Sequence, residues 1–120
     1  MIRGIGIDVI EVPRVERAVA RWGEAFLGRV FTERERAHAG TAPQRLAGRF
    51  AAKEAVMKAL GLGWRSMAWR DIEIAADLYG RPVVRLSGRA AEAARRLGVD
   101  AWMVSISHTR RLAIAQALAE

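Results

Sequence analysis

At 120 residues the chain suits one domain, because a single hydrophobic core stops growing only at about 250–300 residues. Its 52% apolar content can fill a core, and the lack of cysteine excludes a disulfide framework, a thiolate metal site and a cysteine nucleophile. Twenty Lys and Arg against thirteen Asp and Glu give +7, a surface that attracts nucleic acid, a phosphorylated ligand or an acidic protein.

The N-terminal apolar residues Ile2, Ile5, Ile7, Val9 and Ile10 are interrupted by Gly4, Gly6, Asp8 and Glu11, unlike the apolar region of a signal peptide. No run approaches the ~20 apolar residues of a membrane span, so a soluble intracellular protein is expected. Residues 2–9 alternate, with Ile5, Ile7 and Val9 on one face and Gly4, Gly6 and Asp8 on the other, which predicts a half-buried strand with one nearly bare face. Val15, Ala18, Val19 and Trp22 then recur at helical spacing over 12–22, with Pro13 in the first turn and Gly23 as the stop.

Thr32-Glu33-Arg34-Glu35 and Thr41-Ala42-Pro43-Gln44 both fit capping boxes. The second opens the longest predicted helix, through Phe50, Glu54 and Lys58 to Gly61, with Leu46, Phe50, Ala51, Val56, Ala59 and Leu60 toward the core. An irregular loop over Trp64–Arg70 leads to a strand over 71–75, a turn over 77–82 and a partner strand over 83–86. Ser87 is placed to cap a helix over 89–97 closed by Gly98. Strands over 102–106 and 112–115 flank Ser107–Arg111 as a hairpin. The fold class is therefore α+β.

Asp8 closes the first strand on the bare glycine face, where a ligand or another backbone can approach closely. Asp8-Val9-Ile10-Glu11 also fits a capping box, so helix capping is the competing reading. Glu54 and Lys58 stand at the spacing of a surface ion pair, an interaction of about 0.2–0.5 kcal/mol. Yet only two of the twenty basic residues are lysine, and both, Lys53 and Lys58, lie in the long helix with Arg45 and Arg49; compact ammonium groups there suit phosphate handling. Ser105-Ile106-Ser107-His108-Thr109 offers a nucleophile and a base, but strand neighbours point to opposite faces and no acid partner follows. A phosphate-contacting turn built from hydroxyls, His108 and backbone N–H groups fits better, and His38 reads as a solvated surface residue. No Walker-type loop or i, i+4 histidine pair occurs, and Gly4-Ile5-Gly6 lacks the third glycine of a dinucleotide fingerprint.

Five segments in order carry a resemblance: Gly4-Ile5-Gly6-Ile7-Asp8 followed by Arg14; Arg49-Phe50-Ala51-Ala52-Lys53-Glu54-Ala55 with Lys58 and Gly61; Asp71-Ile72-Glu73-Ile74; Gly80-Arg81-Pro82; and Val104-Ser105-Ile106-Ser107-His108-Thr109 with Ala113 and Ala115. Together they resemble the holo-acyl-carrier-protein synthase family, the small phosphopantetheinyl transferases, over nearly the whole chain. Arg81 stands where lysine is usual before Pro82, and the Trp64–Trp69 loop is a further departure.

The resemblance implies one domain over 1–120, with an antiparallel sheet packed against a long helix. It implies transfer of 4′-phosphopantetheine from coenzyme A to a serine of apo-acyl carrier protein, releasing adenosine 3′,5′-bisphosphate, in fatty acid biosynthesis. Asp8 and Glu54 would then ligate Mg²⁺, a hard ion that prefers a few carboxylates plus waters and a substrate phosphate. Lys58 would reach the pyrophosphate, and Glu54, or a metal-bound water that it holds, would be the base. Arg49, Lys58, Gly61, Gly80, Arg81, Pro82, Ser107, His108 and Thr109 would hold coenzyme A. Arg14, Arg17 and Arg21 share one helix face and would meet the acidic carrier protein, with a solvated face as the competing reading.

Such proteins are expected as cytoplasmic homotrimers with the hairpin turn of one chain completing the Asp8 and Glu54 site of its neighbour, and with no nucleic-acid or membrane partner. The alternative function is a small basic module for RNA or a ribosomal surface, which the charge supports. A module of that kind has no need for two carboxylates aimed at one point.

Overall fold

The computed structural model describes residues 1–63 and 66–120. β1 (Gly4–Glu11) runs directly into α1 (Val12–Trp22), with Pro13 in its first turn and Gly23, at φ 51°, ending it. Asp8 lies within the strand and caps nothing; the cap position belongs to Glu11. α2 (Glu24–Val30) follows without a side-chain cap, so no residue pattern announces it. α3 (Glu33–Ala39) begins with the expected capping box: Thr32 Oγ1 accepts from the Glu35 N–H at 3.2 Å, and Glu35 Oε1 accepts from the Thr32 N–H at 2.8 Å.

α4 (Pro43–Ala59) is the long helix, but its N-cap is Ala42 and the Thr41 capping box does not form; Pro43 starts it instead. The expected loop lies outside the described residues at Trp64 and Arg65, and its last residues enter a 3-10 turn, Trp69–Asp71. β2 (Ile72–Ala76) and β3 (Pro82–Leu86) form a hairpin whose turn is closed by Asp77 Oδ1, which accepts from the N–H groups of Tyr79 and Arg81 at 2.8 and 2.9 Å. α5 (Gly88–Arg96) starts after Ser87 without the expected side-chain cap. β4 (Trp102–His108) and β5 (Leu112–Ala119) complete the chain, so Ser107 and His108 belong to a strand and only Thr109–Arg111 turns.

β1, β5 and β4 form an antiparallel sheet in that order, with Asp8 and Ile106 both opposite Ala115. β2 and β3 form a separate pair, with β3 beside β4, and α4 packs across β1, β5, β4 and β2. The α+β architecture is the expected one. Leu46, Ala51, Val56, Ala59 and Leu60 of the predicted helix face are buried, while Phe50 is half-buried.

The bare face of β1 is where α4 comes closest. A Cβ on Gly4 would lie 2.0 Å from the Ala59 carbonyl oxygen, and one on Gly6 would lie 1.9 Å from that of Ala55. On β5 the same face carries Ala113, Ala115, Ala117 and Ala119, all buried. The helix therefore rests almost on backbone. The larger residues of the alternation face outward instead: Ile5, Ile7 and Val9 are 60, 54 and 54% exposed.

Lys53 is fully buried and corrects the expectation of a phosphate-handling ammonium at that position. Its Nζ lies 2.8 Å from Glu35 Oε1 and donates to the carbonyls of Trp69, at 3.2 Å, and Ile72. Burial pushes its pKa below the ordinary lysine value, and the neighbouring Glu35 carboxylate opposes that shift. Glu35 Oε2 accepts from the Ile74 N–H at 2.7 Å, so the pair joins α3, α4 and β2.

Gly6→Ala should destabilise the fold by at least about 2 kcal/mol, since its methyl meets a backbone carbonyl that cannot turn aside. Gly28→Ala, within α2 and facing open space, should stabilise by up to about 1 kcal/mol. Urea unfolding of the two variants checks the contrast, and equal effects would contradict the packing.

Candidate active site

Because side chains alternate along a strand, Asp8 projects to the same side as Gly4 and Gly6, toward α4. Its side chain is 16% exposed, and Oδ1 lies 3.1 Å from Lys58 Nζ, which also donates to the Ile7 carbonyl at 2.9 Å. The ion pair expected between Glu54 and Lys58 is replaced by this one, which crosses from helix to strand. Lys58 reaches back over the turn N-terminal to its own Cα, as helical side chains do.

Glu54, one turn before Lys58, feels both groups. Its pKa is raised first by burial and then by the charge of Asp8, and lowered by Lys58. Two carboxylates and an ammonium thus share a small space, and the predicted convergence of Asp8 and Glu54 is present.

Asp8 and Glu54 open into a cavity of about 810 Å³ between β1, α1, α2 and α4. Arg14, Arg17 and Arg21 line it together, so the arginine face of α1 is a wall of the acidic site. Trp22, Phe26 and Phe50 form the apolar wall. Trp22 is 56% exposed, contrary to its apolar spacing, with the Arg21 guanidinium 5.1 Å above its ring. The Phe50 ring stacks on Trp69 at 4.8 Å. Phe50 precedes Glu54 by four residues, which places both on one helix face; that spacing was the available signal for this aromatic wall.

A second cavity of about 230 Å³ gathers Arg45, Arg49, Gly80, Pro82 and His108. Burial lowers the Arg49 pKa, and its Nε is buried without a hydrogen-bond partner, a donor directed at no protein acceptor. His38 is exposed, as its polar surroundings predict, and it also lines this cavity, which they did not signal. Of the other residues singled out, Gly61, Arg81, Ser107 and Thr109 are exposed and line neither cavity. Thr109 Oγ1 accepts from the N–H groups of Arg111 and Leu112, at 3.3 and 3.1 Å, and so shapes the hairpin turn. The two cavities share α4 but no lining residue.

The profile of the 4′-phosphopantetheinyl transferase superfamily matches residues 4–117. The chain belongs to that superfamily. The holo-[acyl-carrier-protein] synthase of Solidesulfovibrio magneticus is 48% identical over 122 residues, covering 100% of this chain and 99% of that protein. The protein of that name from Herpetosiphon aurantiacus is 46% identical over 92% of each chain. Among solved structures, the Neisseria meningitidis synthase superposes with a TM-score of 0.90 at 35% identity, covering 100% of this chain and 99% of that one. The Helicobacter pylori synthase in complex with coenzyme A gives 0.88 at 32% identity, with 97 and 99% covered.

In this transferase the donor set suits one class of cation. Among the described residues no cluster of three or more His, Cys, Asp or Glu could enclose a metal. Two carboxylates at a cavity mouth fit a hard ion that keeps waters and takes substrate oxygens, as Mg²⁺ does. Their mutual repulsion, visible in the raised pKa of Glu54, is what a cation between them would relieve.

A carboxyl with a raised native pKa binds its proton more tightly folded than unfolded, so its stability contribution is present below the unfolded value and lost as pH rises through the native one. In metal-free buffer the wild type should therefore lose stability relative to Glu54→Gln as pH rises from the ordinary carboxylate range. Urea unfolding across that pH series measures the difference; a constant gap would show that Asp8 and burial do not act on Glu54.

Proposed function

We infer that this enzyme transfers the 4′-phosphopantetheine group of coenzyme A to a serine hydroxyl of apo-acyl carrier protein, giving the holo-protein and adenosine 3′,5′-bisphosphate. The observation that carries this reading is the convergence of Asp8, Glu54 and Lys58 beside an arginine-lined cavity, in a chain of this superfamily. The whole chain, 1–120, acts as one catalytic domain. The reaction makes a phosphoester bond from the serine oxygen to the pantetheine-side phosphorus and breaks that phosphorus's bond to the bridging oxygen, which leaves on the nucleotide.

Asp8 and Glu54 would hold Mg²⁺, which would supply charge neutralisation at the pyrophosphate as the nucleotide departs. Lys58, 53% exposed on a flexible stem, is free to exchange Asp8 for a pyrophosphate oxygen. Glu54 takes the serine proton, directly or through a water, and its raised pKa brings it closer to the working pH. Arg49, Gly80, Pro82 and His108 take the nucleotide, whose phosphate offers the acceptor that Arg49 Nε lacks. Arg14, Arg17 and Arg21 meet the acidic carrier protein, where complementary charge raises the encounter rate. An RNA-binding module would gain nothing from paired carboxylates beside these arginines.

The acidic and nucleotide-holding residues line different cavities of one chain, which supports a site completed by a neighbouring copy. The exposed apolar face of β1, with Met103 and Ile114 of the same sheet, supports a homotrimer as the working form. The enzyme works in the cytoplasm in fatty acid biosynthesis; no described helix is long and apolar enough to cross a membrane.

Incubation with coenzyme A, Mg²⁺ and apo-acyl carrier protein, followed by mass spectrometry of the carrier, should show the added phosphopantetheine. Asp8→Ala and Glu54→Gln should each lower turnover by at least about 100-fold, the effect of removing one transition-state charge stabiliser. Wild-type turnover in either would remove that residue from the reaction.

Mixing Asp8→Ala with His108→Ala protein should restore part of the activity once subunits exchange, because one composite site then carries neither substitution. No recovery after verified exchange would place the whole site within one chain.

A further inference from the structure

One buried charge has no part in the chemistry above. Lys53 is an ammonium with no solvent exposure, adjacent in sequence to Glu54. We infer that Lys53, through Glu35, is a positioning residue that fixes the rotation of α4 and thereby aims the Glu54 carboxylate at Asp8. The inference rests on the transferase reading and deepens it.

Where Gly4 and Gly6 meet α4, the contact determines a distance rather than an angle. Gly4 and Gly6 meet the Ala59 and Ala55 carbonyls as bare backbone, with no side-chain ridge seated in a groove. At these two positions the contact sets how closely the helix approaches and offers little steric resistance to its turning. At about 100° per residue, Lys53 points some 200° around the helix from Ala55, so it anchors the side away from the strand. Glu54 lies between these two anchors, about 100° from each.

The anchor is directional. An ammonium has three N–H donors, and three acceptors surround this one: Glu35 Oε1 at 2.8 Å, the Trp69 carbonyl at 3.2 Å and the Ile72 carbonyl. They belong to α3, the 3-10 turn and β2, so rotation of α4 breaks bonds to three separate segments. Glu35 is itself held by the N–H groups of Thr32 and Ile74 at 2.8 and 2.7 Å, and cannot follow. An arginine would bring five donors in a planar fork to this three-acceptor pocket, which explains a lysine here in a chain whose basic residues, Lys58 apart, are otherwise arginine.

The test replaces the pair by apolar residues of similar volume, Glu35→Leu with Lys53→Met, a change that buried ion pairs often tolerate in stability. Metal affinity is read by calorimetry with Mg²⁺ and protein alone, and kcat and the KM for coenzyme A are read in the transfer assay. The folded double variant should bind Mg²⁺ at least about tenfold more weakly, the usual result of losing groups that orient ligands. Its kcat should fall at least about tenfold, as misplacement of a reacting group requires, with the KM for coenzyme A within about twofold of wild type.

Should the double variant fail to fold, Glu35→Gln keeps the shape and removes the charge, and Mg²⁺ binding should still weaken by at least about threefold. Wild-type metal affinity and kcat in a folded double variant, or in Glu35→Gln when only that variant folds, would overturn the inference and leave Lys53 a purely structural ion. A raised KM with metal affinity unchanged would overturn it as well. A wild-type enzyme that shows no Mg²⁺-dependent transfer would instead sink the underlying reading.

Discussion

The Lys53 ammonium and the Glu35 carboxylate sit together at zero exposure, and the arrangement of α3, α4 and β2 depends on their being satisfied there. Desolvating two charges costs several kcal/mol each, which their attraction offsets only when the remaining donors and acceptors are also matched. Here they are, through carbonyls on one side and backbone N–H groups on the other. The arrangement is sensitive for the same reason: loss of one partner leaves a buried charge unpaired, typically a cost of about 3–5 kcal/mol. Thr32 extends the network to the surface, donating its hydroxyl to Glu73 at 2.7 Å while capping α3.

The second constraint is the bare backbone contact of β1 with α4 at Gly4 and Gly6. Small residues on both elements let helix and strand approach until carbonyl oxygens meet glycine Cα groups, a contact with its own weak attraction. That approach is what brings a carboxylate on the strand within the influence of one on the helix, and what allows Lys58 to span from α4 to Asp8. At Gly4 and Gly6 the inner face has no room for a larger residue; the apolar side chains between and beside them, Ile5, Ile7 and Val9, lie on the outer face as an exposed stripe, while Ile10 is buried at the inner end.

Charge is distributed unevenly over these parts. The cavity beside Asp8 and Glu54 has arginines from α1 on one wall and aromatic residues on another, whereas the cavity holding Arg49 and His108 contains no carboxylate. An anionic ligand is attracted to both, but only the first offers carboxylates to a cation. The division follows from α4, whose successive turns present Arg49 to one cavity and Glu54 to the other.

Much of this was legible in the residues alone. The helix from Val12 to Trp22, the Thr32 capping box and the two hairpins are written in local patterns of helical spacing and turn chemistry, whereas the convergence of Asp8 with Glu54, distant in sequence, was expected only from the family resemblance. The inferences that changed concern helix caps and what lies across space. Thr41 fits a capping box but Ala42 holds the cap position; Lys58 stands at ion-pair spacing from Glu54 but finds Asp8, fifty residues away. Lys53 looks like a phosphate ligand until α3 and β2 close over it. Sequence determines what each residue can donate, accept or bury and how neighbours along one element are spaced. Only packing decides which of those capacities is met by protein and which is left for a ligand, because a buried charge selects the nearest matching group whatever its distance along the chain.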